Sequence, residues 1–235
     1  MFISRHHFIL SMALSLVSTA GTQAQQQPTI QDKLQRMQQA AVQNTQKLHT
    51  YQWIESTSLT MNGKAGEPKE TICHYGPDGQ LVKTPLGEQG PPHISGGPLK
   101  QHIIKKKIEE AEEQISEITN LASAYLPLNP SQLGDAWHTK RIDFEHDGDS
   151  GNTVIINDYV KPGDQFRISM NMTTLQIQRV VIQTYFKTPQ DPMTVDVRFS
   201  QLADGTVYPS ISTITAPTKK IVITKSSDNF SKPAY

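Results

Sequence analysis

The stretch Leu99 to Tyr125, LKQHIIKKKIEEAEEQISEITNLASAY, decides the fold. Its apolar residues Ile104, Ile108, Ala111, Ile115, Ile118, Ala122 and Tyr125 recur in alternating steps of four and three. That spacing stacks them on one face of a helix. Gly97 and Pro98 open the segment and Pro127 closes it, because a ring that fixes φ and removes the N–H is tolerated only at a helix boundary. At about 1.5 Å per residue the helix is about 40 Å long. A ten-residue strand is about 33 Å, so this helix can cross a whole sheet. The expectation is a sheet that curves around it.

Strand patterns stand on both sides. Before the helix, Tyr51–Met61, Lys69–Tyr75 and Gln80–Thr84 are separated by Asn62-Gly63 and by Pro77-Asp78-Gly79. Asn-Gly between two such runs is a strong two-residue hairpin signal, so these strands form an antiparallel meander. Upstream, Ile30, Leu34, Met37, Ala41 and Leu48 mark one face of a helix, with Thr29 as N-cap and Asp32 as its capping-box partner. Gly87–Pro98 is rich in Gly and Pro and reads as a loop.

After the central helix, Asn129-Pro130 predicts a short turn to Gly134. Strands are then expected over His138–His146, Thr153–Val160, Gln165–Met170, Leu175–Phe186, Met193–Ser200, Thr206–Ala216 and Lys219–Thr224, with a loose polar tail from Ser226. Phe166, Ile168 and Met170 alternate with Gln165, Arg167 and Ser169, the pattern of a strand with one covered face. Lys161-Pro162-Gly163-Asp164 and Asp204-Gly205 are turns. Short turns force antiparallel pairing, and large sheets twist and curl. The fold class is therefore α+β: a single curved antiparallel sheet of about ten strands, a half-barrel, with helices packed in its concave face.

Residues 1–24 read as an export signal, with a basic start at Arg5, an apolar run over Phe8–Val17 and small residues at Thr22 and Ala24. The run is too short to span a bilayer. Residues 25–235 then form one domain with room for a sizeable core. The whole chain holds 22 basic and 22 acidic residues, a balance that does not fit nucleic acid as a partner. Cys73 is the single cysteine, so no internal disulfide is available and packing must stabilise the domain.

Motifs of catalysis are sparse. Cys73 and His74 are adjacent, but neighbouring strand residues point to opposite faces, so they do not form a dyad with each other. The reading for Cys73 is a buried structural thiol. No His-x-x-x-His or Cys-x-x-Cys occurs, and Asp147, Asp149 and Asn152 lack the terminal Glu of a calcium loop. There is no Gly-x-Ser-x-Gly elbow and no Gly-rich phosphate loop. No catalytic residue, metal or cofactor is assigned, and the chain is not expected to be an enzyme.

Tyr51 and Trp53, Cys73 to Gly79, Lys105 to Glu110, Lys161 to Asp164 and Asp204-Gly205 sit in a layout of export signal, helix, meander, inserted helix and antiparallel run. This layout resembles the LolA/LolB-like periplasmic half-barrels, the outer-membrane lipoprotein carrier-like family, and more closely exported bacterial proteins of that type. The resemblance implies a concave apolar surface under a movable helical lid, and a periplasmic location. The early Arg-Pro-x-x-Phe-x-Trp-like segment of such carriers is absent, so no functional residue is carried over.

The function expected is binding of an apolar ligand: an acyl chain, a lipid or a lipidated protein. The cavity and lid are expected to use Trp53, Ile104, Ile108, Ile115, Ile118, Tyr125, Phe166, Ile168, Val195 and Val197. Lys105, Lys106 and Lys107 precede Glu109, Glu110, Glu112, Glu113 and Glu117, an order that opposes the helix dipole. It fits either a solvated face or contact with anionic headgroups or an acidic partner. The alternative is an envelope module that binds protein partners and holds no ligand. Neither reading needs a membrane span after signal cleavage.

Overall fold

The computed structural model describes residues 30–87, 98–125, 130–147, 151–171, 173–174 and 176–233, without the side chains of 30–38, 98–100, 104, 130, 131, 147 and 151. The elements are α1 (Ile30–Leu48), β1 (Gln52–Met61), β2 (Lys64–Ala65), β3 (Lys69–Tyr75), β4 (Leu81–Pro85), α2 (Pro98–Ser123), α3 (Pro130–His138), β5 (Ile142–Asp147), β6 (Gly151–Asn157), β7 (Gln165–Asn171), β8 (Gln176–Tyr185), β9 (Pro192–Gln201), β10 (Val207–Ala216) and β11 (Ile221–Ser231). The export signal at 1–24, the Thr29 cap, the loop over 88–97, the Pro127 stop, Asn129 and the turn residues 148–150 lie outside the described residues.

All strands form one open antiparallel sheet in the order β4-β3-β1-β11-β10-β9-β8-β7-β6-β5, with β2 extending the β1 hairpin. The sheet curves as a half-barrel with helices against its hollow side. Asn62 and Gly63 have φ of 51° and 76°, the two positive values a type I′ hairpin requires.

The strand order explains the central helix. β4 and β5 follow each other among the strands of the sequence, yet they form opposite edges of the sheet. The chain must therefore travel from one edge to the other. Ten strands at about 4.8 Å spacing span about 43 Å along the sheet. A helix of 26 residues is about 39 Å long. Curving the sheet shortens the chord that the helix must cover.

Four expectations need correction. The turn near Gly134 is a full helix, α3, because Leu133 and Ala136 pack into the core. It ends with Lys140 at φ 56° and with Arg141 N–H donating to the Ala136 carbonyl at 2.9 Å, a left-handed cap. The strand expected from His138 therefore starts at Ile142. The tail from Ser226 is not loose: β11 continues to Ser231 and pairs with β1 down to Gln52. Its polar residues have no apolar alternation to announce a strand, but the backbone ladder holds them. Finally, α2 ends at Ser123, so Tyr125 lies in the turn after it.

The core lies between the sheet and the second half of α2. Ile115, Ile118, Leu121 and Ala122 meet it, with Tyr125 and Ala136. Ile103, in the first half, is 48% exposed. The described part of α1 contributes no buried side chain. It is fastened instead by Asn44, whose amide accepts from Val207 N–H at 2.7 Å and donates to the Val207 carbonyl at 2.7 Å.

Candidate functional site

Register defines the inner face. Ile142, Ile156, Phe166, Ile182, Val195, Ile214, Ile223 and Leu59 are consecutive cross-strand partners from β5 to β1. Every member is apolar. Cross-strand pairs are the unit of sheet stabilisation, and burying each such side chain contributes about 1.5–3 kcal/mol. The next row runs Phe144, Val154, Ile168, Val180, Val197, Ser212, Lys225, Thr57 and Lys69. It begins apolar and becomes polar and cationic at β10 and beyond.

The end of α2 is held to this face by a buried polar relay. Asp164 is 2% exposed. It accepts from the Tyr125 hydroxyl at 2.6 Å and from the backbone N–H groups of Tyr159, Val160 and Lys161 at 2.6, 3.0 and 2.9 Å. The phenol proton is committed to Asp164, so Tyr125 receives the Thr184 hydroxyl at 2.6 Å. Burial, reinforced by the hydrogen bond to Asp164, pushes the Tyr125 pKa well above the ordinary phenol value, and Tyr125 stays a donor. Gly163 at φ 80° makes the turn that returns Asp164 to the loop, with Asp164 N–H donating to the Lys161 carbonyl at 3.2 Å. Glu117 also pairs with Lys219 of the β10–β11 turn at 2.9 Å.

The residues expected to line a cavity divide into groups. Ile118, Tyr125, Phe166, Ile168, Val195 and Val197 are buried together, with Ile115 packed against them. Ile108 is half-buried and outside that cluster. The side chain of Ile104 lies outside the described residues. Trp53 is buried elsewhere. It faces Phe230 with centroids 5.6 Å apart and Tyr75 at 5.8 Å, and lies opposite Cys73 in register. A bulge at Asn229, φ 53°, brings Phe230 to that side of β11. Lys105, Lys106 and Lys107 are exposed, with Lys105 4.0 Å from Glu109 and Lys106 3.9 Å from Glu110.

Partly buried apolar side chains rim the core, among them Leu59, Val154, Ile177 and Phe199. At the β5 edge, Phe144 and Trp137 are exposed in an edge-to-face pair 6.5 Å apart.

The local sequence did not disclose a charged group on the same face. Glu55 accepts from Lys83 Nζ at 2.7 Å and lies 3.7 Å from Lys225 Nζ, both at Oε1. Register places them side by side: Thr57 opposes Lys225, and Cys73 opposes Lys83. Cys73 is fully buried beside them, and burial together with the Glu55 charge pushes its thiol pKa up. Among the described residues, no cluster of His, Cys, Asp and Glu is arranged to hold a metal, and no helix is long and apolar enough to cross a membrane.

No protein-family profile matches the chain, and no curated protein matches it. Among solved structures it is similar to a DUF1329 family protein from Desulfovibrio piger, with 12% identity and a TM-score of 0.41, covering 86% of this chain and 91% of that one. It is also similar to a LolA superfamily protein from Nitrosomonas europaea, with 8% identity and a TM-score of 0.38, covering 84% of this chain and 94% of that one.

Proposed function

We propose that this is an exported periplasmic binding protein, not an enzyme, whose inner sheet face takes an apolar ligand: an acyl chain, a lipid or the lipid of a lipidated protein. The observation that carries the reading is the incomplete cover over a continuous apolar face. Among the described side chains of α2, those of the second half pack into the core, while Leu59, Val154, Ile177 and Phe199 are only partly buried around it. An acyl chain laid along that rim gains about 0.8 kcal/mol per buried CH₂. The export pattern at 1–24 supports the compartment.

The test is a titration with a fluorescent sixteen-carbon fatty acid. Saturable one-to-one binding is expected, weakened by Phe199→Asp at the rim and unaffected by Val42→Asp on exposed α1. A native protein that binds no probe while remaining folded refutes the proposal.

A second reading, a protein-interaction module without ligand, is favoured by the sheet edges. β4 is exposed along its whole length, and the β5 edge carries the exposed Phe144 and Trp137. Unpaired edges can accept a partner strand.

A further inference from the structure

Resting on the ligand reading above, we infer that Lys83 and Lys225 hold the anionic head group of an amphiphile whose chain lies on the apolar inner face, with Lys69 two strands from Lys225 in the same cross-strand row. The ligand class is an anionic phospholipid-type amphiphile.

The second cross-strand row runs from apolar to cationic. Val180 and Val197 are buried and apolar; Ser212, Lys225, Thr57 and Lys69 continue the same line. Lys225 is two strands from Val197, about 10 Å at ordinary strand spacing. Val180 and Val197 are already covered, so the chain lies on the partly buried Leu59 and Phe199, the next inner-face positions along β1 from Thr57 and along β9 from Val197, and leaves its polar end at the lysines.

Charge complementarity sets the sign. On β1, β3, β4 and β11, the inner-face positions carry Lys69, Lys83 and Lys225 against the single carboxylate of Glu55. Lys69 has no ion-pair partner among the described residues. Lys83 and Lys225 converge on one Glu55 oxygen at 2.7 and 3.7 Å, so their ammonium groups are spaced to bridge a small oxyanion. Their side chains are 38% and 36% exposed, whereas that of Glu55 is only 16% exposed. The lysine side chains are therefore the more exposed members of the group, and the carboxylate between them is the more buried one. A phosphate arriving there meets cations first.

The lysines of α2 do not share this placement. They are exposed on a helix, and Lys105 and Lys106 each lie near a glutamate one turn on.

The experiment titrates the full mature protein with lysophosphatidylglycerol and lysophosphatidylcholine of equal chain length, below their micelle concentrations. Native protein should prefer the anionic lipid about tenfold, and Lys83→Gln or Lys225→Gln should each weaken it about fivefold while leaving the zwitterionic lipid unchanged. Glu55→Gln should tighten the anionic lipid, an effect that a merely structural triad would not produce. Equal affinity for the two lipids, with the lysine variants silent, overturns the headgroup assignment but leaves the ligand reading intact. Loss of the preference in Lys105→Gln/Lys106→Gln/Lys107→Gln, with Lys83→Gln silent, overturns it too. Glycerol phosphate binding as tightly as the lysolipid makes this a free-anion site and overturns the lipid source. No binding of either lysolipid removes both proposals.

Discussion

Replacing Tyr125 by Phe removes one oxygen and leaves the buried ring. The hydroxyl donates to Asp164 at 2.6 Å and receives Thr184 at 2.6 Å. A hydrogen bond to a charged group contributes about 1.5–3 kcal/mol. Asp164 keeps three backbone N–H donors after the change, so the carboxylate is not stranded. The expected loss is about 2 kcal/mol. Asp164→Ala is worse, because it orphans those three N–H groups and the phenol together; the unmade bonds set its loss at about 4 kcal/mol. The pair is in direct contact, so the double variant should fall short of additivity by about 1.5 kcal/mol. Urea unfolding followed by far-UV circular dichroism and tryptophan fluorescence reads all three, with constant m-values confirming an unchanged transition. Amide exchange over residues 118–123 should quicken in Tyr125→Phe, since the relay clamps that end of α2. A loss under about 0.5 kcal/mol, or additive losses, would show that the relay does not hold the helix.

Three further outcomes are expected. Ile118→Ala should cost about 2–5 kcal/mol, and Ile103→Ala under about 0.5 kcal/mol, both by urea unfolding; similar losses would place the two halves of α2 in the core alike. The Cys73 thiol, fully buried and raised in pKa, should react with a thiol reagent only as fast as the protein opens, and prompt stoichiometric labelling of native protein contradicts its burial. Asp196 is held below the ordinary carboxyl range chiefly by its hydrogen bond to Arg179. Its contribution is therefore present above the unfolded carboxyl pKa and is lost as pH falls through the lowered one. The pair is partly exposed, which limits it to about 0.5 kcal/mol, and Arg179→Gln should flatten that part of the stability profile.

Features set by short-range chemistry were readable from the sequence. Asn62-Gly63 needs positive φ at both positions and has it. The alternation of Phe166, Ile168 and Met170 put them on the covered face, where all three are buried. The apolar steps of α2 marked the right side of the helix but not how much of it meets the sheet, because periodicity carries no information about where the partner surface ends. β11 beyond Thr224 was missed for a related reason: Ser226 to Ser231 are held by ladder bonds to β1, which any polar residue can make. Trp53 was expected with the main core, yet β1 is long enough to serve two environments, with Leu59 beside the core and Trp53 against Phe230 and Tyr75. The Glu55, Lys83 and Lys225 group was invisible for a topological reason. It depends on β1 pairing with β11, strands far apart in sequence, and no local pattern specifies that pairing. Lys161 to Asp164 was legible as a turn, but its service to Tyr125 depends on where α2 ends.

The proposed function requires the partly covered inner face to hold an apolar guest. Native mass spectrometry of gently purified, detergent-free protein, paired with lipid extraction, tests it directly. The expected result is a complex heavier than the mature polypeptide by one lipid, released on unfolding and enriched in anionic species. A bare polypeptide mass, with no extractable lipid and no uptake of added acyl probe, contradicts it.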